Sequence, residues 1–183
     1  MANFLPTITS PKPSTQVNLT GNPRILKDLA ADTYNFIQKW NKVHLHGMSL
    51  LRSITELKVD SSYPRGLQEL CDDLEKDVDQ MDRIVTSLKS VVSRTNAVVS
   101  LQEGKKGKIF TTWPTEYFSE AIEEIYEAYK NEAMMKRKIL ENVAHFHQES
   151  MKMLHLTIWA HQSMIPHKLG MTLQSLLAET GHR

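Results

Sequence analysis

An all-α fold is what this 183-residue sequence predicts: an antiparallel hairpin of two long coiled-coil-like helices, joined by a third long helix and a short C-terminal helix. Three observations carry that reading. Stepping alternately by four and three from Leu67 visits Cys71, Leu74, Val78, Met81, Val85, Leu88, Val92, Thr95 and Val99, and only Thr95 is polar. A seam of period 3.5 keeps facing one neighbouring helix, so this stretch is built to lie along a partner for about 50 Å at 1.5 Å per residue. A second seam precedes it, through Leu26, Leu29, Thr33, Phe36, Trp40, Val43, Gly47, Leu50, Ile54 and Leu57. Between them lies the short polar turn Val59-Asp60-Ser61-Ser62-Tyr63-Pro64, the length that makes two long helices antiparallel neighbours.

Taken in order, residues 1–21 carry three prolines and many Ser, Thr and Asn residues without periodicity, and read as a disordered arm ahead of a single elongated helical domain, 22–183. Within the arm Ser10-Pro11 is the only Ser/Thr-Pro pair, which makes Ser10 a candidate for a proline-directed kinase. Asn22-Pro23 predicts the first helix start, with Asn22 as N-cap and Pro23 at the first helical position. Gly47 costs about 1 kcal/mol of helix propensity relative to alanine, so it marks a close backbone approach or a bend.

The second helix is acidic early (Asp72, Asp73, Glu75, Asp77) and basic late (Lys89, Arg94), which opposes the helix dipole. Gly104-Lys105-Lys106-Gly107-Lys108 is a basic turn without the spacing of a phosphate-binding loop. The third helix opens near Trp113-Pro114-Thr115 and follows Phe118, Ile122, Ile125, Tyr129, Glu132, Lys136, Ile139, Val143 and Phe146, a seam interrupted by charge at Glu132 and Lys136. Helical signal continues to Trp159, with no Gly or Pro to fix a break near His147 to Ser150. The last helix spans Pro166 to Thr180, and Gly181 stands where a C′ glycine belongs.

Composition limits the chemistry. A formal net charge of +1 argues against dedicated duplex binding, and no apolar run reaches the length of a membrane span. The single cysteine, Cys71, sits on the seam, where it acts as a small hydrophobe. His44/His46 and His145/His147 are two apart and diverge on a helix, and the one Glu-x-x-His match, Glu179 to His182, crosses a helix stop. No catalytic, metal-ligating or cofactor-binding residues are assigned. Six methionines (Met134, Met135, Met151, Met153, Met164, Met171) are either core filler or an adaptable contact surface. Trp113 and Trp159 are either core anchors or interface hot spots.

Several strings carry a resemblance. Thr112-Trp113-Pro114-Thr115 with Phe118, Lys136-Arg137, Trp159 followed by His161-Gln162, and the C-terminal stretch Leu176 to Arg183 resemble the cyclin-dependent kinase 2-interacting protein family, as do Lys27-Asp28, Ala30-Ala31-Asp32 and Lys39-Trp40. The resemblance implies a non-catalytic nuclear adaptor. Its implied partners are a cyclin-dependent kinase, a replication-initiating kinase, a checkpoint kinase regulator and subunits of an AAA-type ATPase complex serving replisome turnover and ribosome maturation. No direct nucleic-acid or membrane contact is implied, and a homodimer stays open. The candidate partner interface is Trp113, Pro114, Trp159, His161, Gln162, Glu179, Thr180, Gly181, His182 and Arg183. Polar residues beyond a helix stop usually face outward, so deleting Glu179 to Arg183 is expected to leave melting nearly unchanged while weakening partner capture. The rivals are a structural coiled-coil subunit of another chromosome or ribosome complex, and a small helical enzyme.

Overall fold

The computed structural model describes residues 19–102 and 109–182. Ser10, the stretch Gly104 to Lys108, Arg183 and most of the N-terminal arm lie outside the described residues. Among the described residues five helices follow one another: α1 (Asn22–Leu57), α2 (Leu67–Gln102), α3 (Thr115–Val143), α4 (Glu149–His161) and α5 (Lys168–Glu179).

Side-chain bonds fix how they run. Asn22 Nδ2 at the start of α1 donates to Gln102 Oε1 at the end of α2 (3.2 Å), so the first two helices form the expected antiparallel hairpin. Ser119 bonds Asn96, and Arg137 bridges Asp79 and Asp82, so α3 returns antiparallel to α2. Contacts from α4 and α5 to α3 then descend in step: Lys136 with Trp159, Glu132 with Met164, Glu124 with Lys168, and Thr112 with Glu179. Both short helices pack on α1 and α3 but not on α2. The result is an up-down-up-down four-column bundle whose fourth column is one broken helix.

That fourth column explains why the buried stripes are wider than a two-helix seam. On α1 the buried set includes Ile37, His44 and Leu51 as well as Trp40, Val43 and Ile54, because α1 meets α2 on one side and α4–α5 on another. On α2, Ile84, Val91 and Val98 are buried, while Cys71, Val85, Val92 and Val99 are half-buried, because α2 touches both α1 and α3. The seam predicts the right face and understates its width. The polar members of the stripes satisfy themselves: Thr95 Oγ1 donates to the Val91 carbonyl (2.9 Å) and Thr33 Oγ1 to Leu29 (2.8 Å).

The ends differ from expectation in three places. Gly21 (φ 68°), not Asn22, precedes α1 as N-cap, because Asn22 already lies in the helix with its amide engaged by Gln102. The third helix stops at Val143 rather than running on to Phe146, and the chain reverses through 144–148 without glycine or proline. There Phe146 packs on His155 of α4, ring centroids 5.9 Å apart, which holds the reversal closed. α5 begins at Lys168, two residues after Pro166. Gly181 (φ 76°) does close α5 as expected, with His182 N–H donating to the Leu177 carbonyl (2.8 Å) in a Schellman turn.

Candidate interaction surface

The break in the fourth column is where the unusual chemistry sits. Gln162 ends α4 in the left-handed region (φ 45°, ψ 57°), a conformation that costs a residue with a Cβ about 1–2 kcal/mol. Its side chain is tied in return: Trp40 Nε1 donates to Gln162 Oε1 at 2.7 Å. One turn earlier Trp159 is fully buried, its Nε1 donating to the His44 carbonyl (3.2 Å) and its ring over the backbone of Gly47. Gly47 therefore marks a close approach, and the neighbour is an indole.

Two charges lie in the same place. Lys136 and Glu132, one turn apart on α3, are both completely buried with Nζ and Oε1 2.9 Å apart. Lys136 Nζ also donates to the Trp159 carbonyl (2.6 Å) and sits 4.4 Å from the indole centroid, while Glu132 Oε2 accepts the Met164 N–H (3.0 Å). The ion pair thus holds the Trp159 carbonyl in the last turn of α4 and the Met164 amide in the turn that follows. Burial pushes the Lys136 ammonium down to about 8, with Glu132 pulling the other way. His44, stacked on Trp159 with rings 6.4 Å apart, is pushed down to about 4 by burial and then by the Lys136 charge, so it stays neutral.

The C-terminal residues turn inward. Glu179 Oε1 accepts the backbone N–H groups of Thr112 (2.6 Å) and Trp113 (3.0 Å), tying α5 to the entry of α3. Thr180 is buried with its hydroxyl on the Leu176 carbonyl (2.8 Å). His182 Nε2 donates to the Lys27 carbonyl (2.8 Å), and Lys27 Nζ returns a bond to the Gly181 carbonyl (3.4 Å). The expectation of an outward-facing tail does not hold for Glu179, Thr180 and His182, because each side chain has an internal backbone group within reach. Glu179→Ala is accordingly expected to lower stability by about 1–2 kcal/mol, the loss of a carboxylate that satisfies backbone donors. Urea unfolding checks it, and an unchanged midpoint would mean the tie is absent in solution. Removal of Glu179 to Arg183 should lower the melting temperature too, contrary to the expectation from sequence.

Of the other candidates, Pro114 and His161 are exposed, Gln162 is half-buried, and Trp113 is half-buried against Phe118 with centroids 5.3 Å apart. Trp113 also stands at 77° to Tyr117, and these two rings with Glu120, Ala121, Glu124 and Thr172 line an open groove of about 310 Å³ between α3 and α5. The structure thus brings Glu179 and Trp113 together at one end of the bundle and Trp159 and Gln162 together at its middle, as two separate clusters. Sequence reading missed Tyr117, Glu120 and Glu124, although their successive spacing of three and four residues is the signature of one helical face.

Among the described residues no three His, Cys, Asp or Glu side chains are grouped to hold a metal ion, and the Glu179-x-x-His182 pair points to two different backbone partners. Burial, then the Asp72 charge, raises the Cys71 thiol, which is the behaviour of a packing residue. No described helix is long and apolar enough to cross a membrane.

Together these features define a helical-bundle protein in which Glu132, Lys136 and Glu179 hold its own fourth column in place. No family model matches the chain. It is 31% identical over 195 residues to the cyclin-dependent kinase 2-interacting protein of Mus musculus, covering 90% of this chain and 92% of that protein. Identity is 29% over 212 residues to the Homo sapiens protein of the same name, covering 100% and 98%, and 28% over 201 residues to that of Xenopus laevis, covering 96% and 95%. The chain belongs to the family of cyclin-dependent kinase 2-interacting proteins.

Proposed function

We propose that this chain is a non-catalytic adaptor that binds a cyclin-dependent kinase. The observation that carries the reading is likeness over nearly the whole chain to proteins named for interacting with that kinase. The match covers 90–100% of this chain and 92–98% of those proteins, so the reading concerns the chain as a whole. In the fuller form of the proposal the protein acts in the nucleus, linking kinases of replication and the damage checkpoint to an AAA-type ATPase complex. Replisome turnover and ribosome maturation are then the processes it serves, and Ser10 is a site for a proline-directed kinase.

The test is binding of purified components. The full chain and an active cyclin-dependent kinase–cyclin pair are run together on size exclusion at micromolar concentration. Co-elution at a fixed ratio is expected, with phosphate incorporation that Ser10→Ala removes. Separate elution would dispose of the kinase reading, and labelling that survives Ser10→Ala would dispose of the assigned site. Recovery of a chromosome or ribosome complex without any kinase would favour the structural coiled-coil alternative.

A further inference from the structure

The groove beside Trp113 joins two aromatic faces to a carboxylate, Glu120, that none of the internal ties uses. Its two rings meet nearly at right angles, with Tyr117 52% exposed and Trp113 half-buried, so a ligand can touch both faces. From Thr115 to Tyr129, α3 contains five glutamates and no lysine or arginine. Glu124 is paired with Lys168 (2.5 Å) and Glu127 with Lys130 (3.0 Å), while Glu120, in the groove wall, has no partner among the described residues. We propose that this groove takes an arginine-bearing segment of a partner protein, its guanidinium stacked on Trp113 or Tyr117 and paired with the Glu120 carboxylate.

Charge decides the class of occupant. An anionic ligand would meet the glutamate-lined face of α3, and the Thr112 and Trp113 amides just ahead of α3 are already taken by Glu179. A purely apolar segment would bury Glu120 without a counter-charge, which is costly. A cation gains from both elements, since aromatic faces and carboxylates attract it alike. Arginine suits the site better than lysine because its flat, weakly hydrated guanidinium stacks on a ring while its edge donates to a carboxylate. The inference goes beyond the kinase reading and does not depend on it.

The test uses the full chain and a synthetic peptide of alternating glycine and arginine, with lysine and glutamate versions as comparisons. Trp40 and Trp159 are fully buried, so of the three tryptophans Trp113 is the one whose fluorescence reports a surface ligand. Saturable quenching by the arginine peptide is expected, weaker with lysine and absent with glutamate. Tyr117→Ala and Glu120→Gln should each weaken binding by about five- to tenfold, and added salt should weaken it further. Glu75→Gln, an exposed glutamate on α2 away from the groove, should leave it unchanged. Both groove side chains are exposed, so melting curves should match the parent, and Glu120→Gln alone carries the test if Tyr117→Ala is destabilised. Lack of saturation, equal binding of the glutamate peptide, or equal loss with Glu75→Gln would overturn the proposal. Kinase co-elution measured on Glu120→Gln separates the two readings, because peptide binding can be lost while the kinase is retained.

Discussion

Replacing Lys136 with alanine is expected to lower the unfolding free energy by about 3–5 kcal/mol, the usual consequence of removing one partner of a buried ion pair. Glu132 would keep its place with no cation, both side chains being fully buried in the parent. The Trp159 carbonyl would lose its donor at 2.6 Å, and the lysine methylenes would leave a void under the indole. Lys138→Ala, two residues on and exposed, should change stability by less than about 0.5 kcal/mol. Replacing both Glu132 and Lys136 with apolar residues of similar volume, leucine and methionine, should sit closer to the parent than Lys136→Ala does, because no uncompensated charge remains. Urea unfolding monitored by circular dichroism reads all of these. A Lys136→Ala protein within about 1 kcal/mol of the parent would mean that water reaches the pair and the cluster is not sealed.

That pair also shows where sequence reading stops. Periodicity places Glu132 and Lys136 on the buried stripe of α3, and from sequence they register only as charges that interrupt a seam. What they are for depends on Trp159 and Met164, which come beside them only after the chain has reversed at 144–148 and descended again. The same holds for Gly47, which from sequence marks either a close backbone approach or a bend, while the indole that approaches it lies more than a hundred residues away. Local signals served well where the cause was local: the Leu67 seam, the turn before Pro64, and the Gly181 cap. They failed at the reversal after Val143, which is held by Phe146 on His155 and has no turn residue to announce it. In the groove the signal was present but divided between two kinds of residue. Trp113 belongs to the string that carries the family resemblance and Glu120 does not, and only packing puts them on one wall.

The contact between Trp159 and Gly47 gives the second large effect. Trp159→Ala is expected to cost about 3–5 kcal/mol, as truncation of a buried aromatic usually does. It removes a fully buried side chain, its bond to the His44 carbonyl and the ring that faces Lys136. Gly47→Ala should cost about 1–3 kcal/mol through overpacking, even though alanine is the better helix former by about 1 kcal/mol. A Cβ there would stand 2.4 Å from Trp159 Cζ2, and the ring has no room to move because it is enclosed on every side and pinned at its nitrogen. The two changes should therefore be strongly coupled. In the Trp159→Ala background the clash partner is gone, so Gly47→Ala should stabilise by up to about 1 kcal/mol, the helix-propensity gain that the parent cannot realise. Four proteins unfolded in urea complete the cycle. A Gly47→Ala penalty of the same size in both backgrounds would mean that something other than the indole requires glycine at this position, and that α4 does not pack on α1 as closely as described.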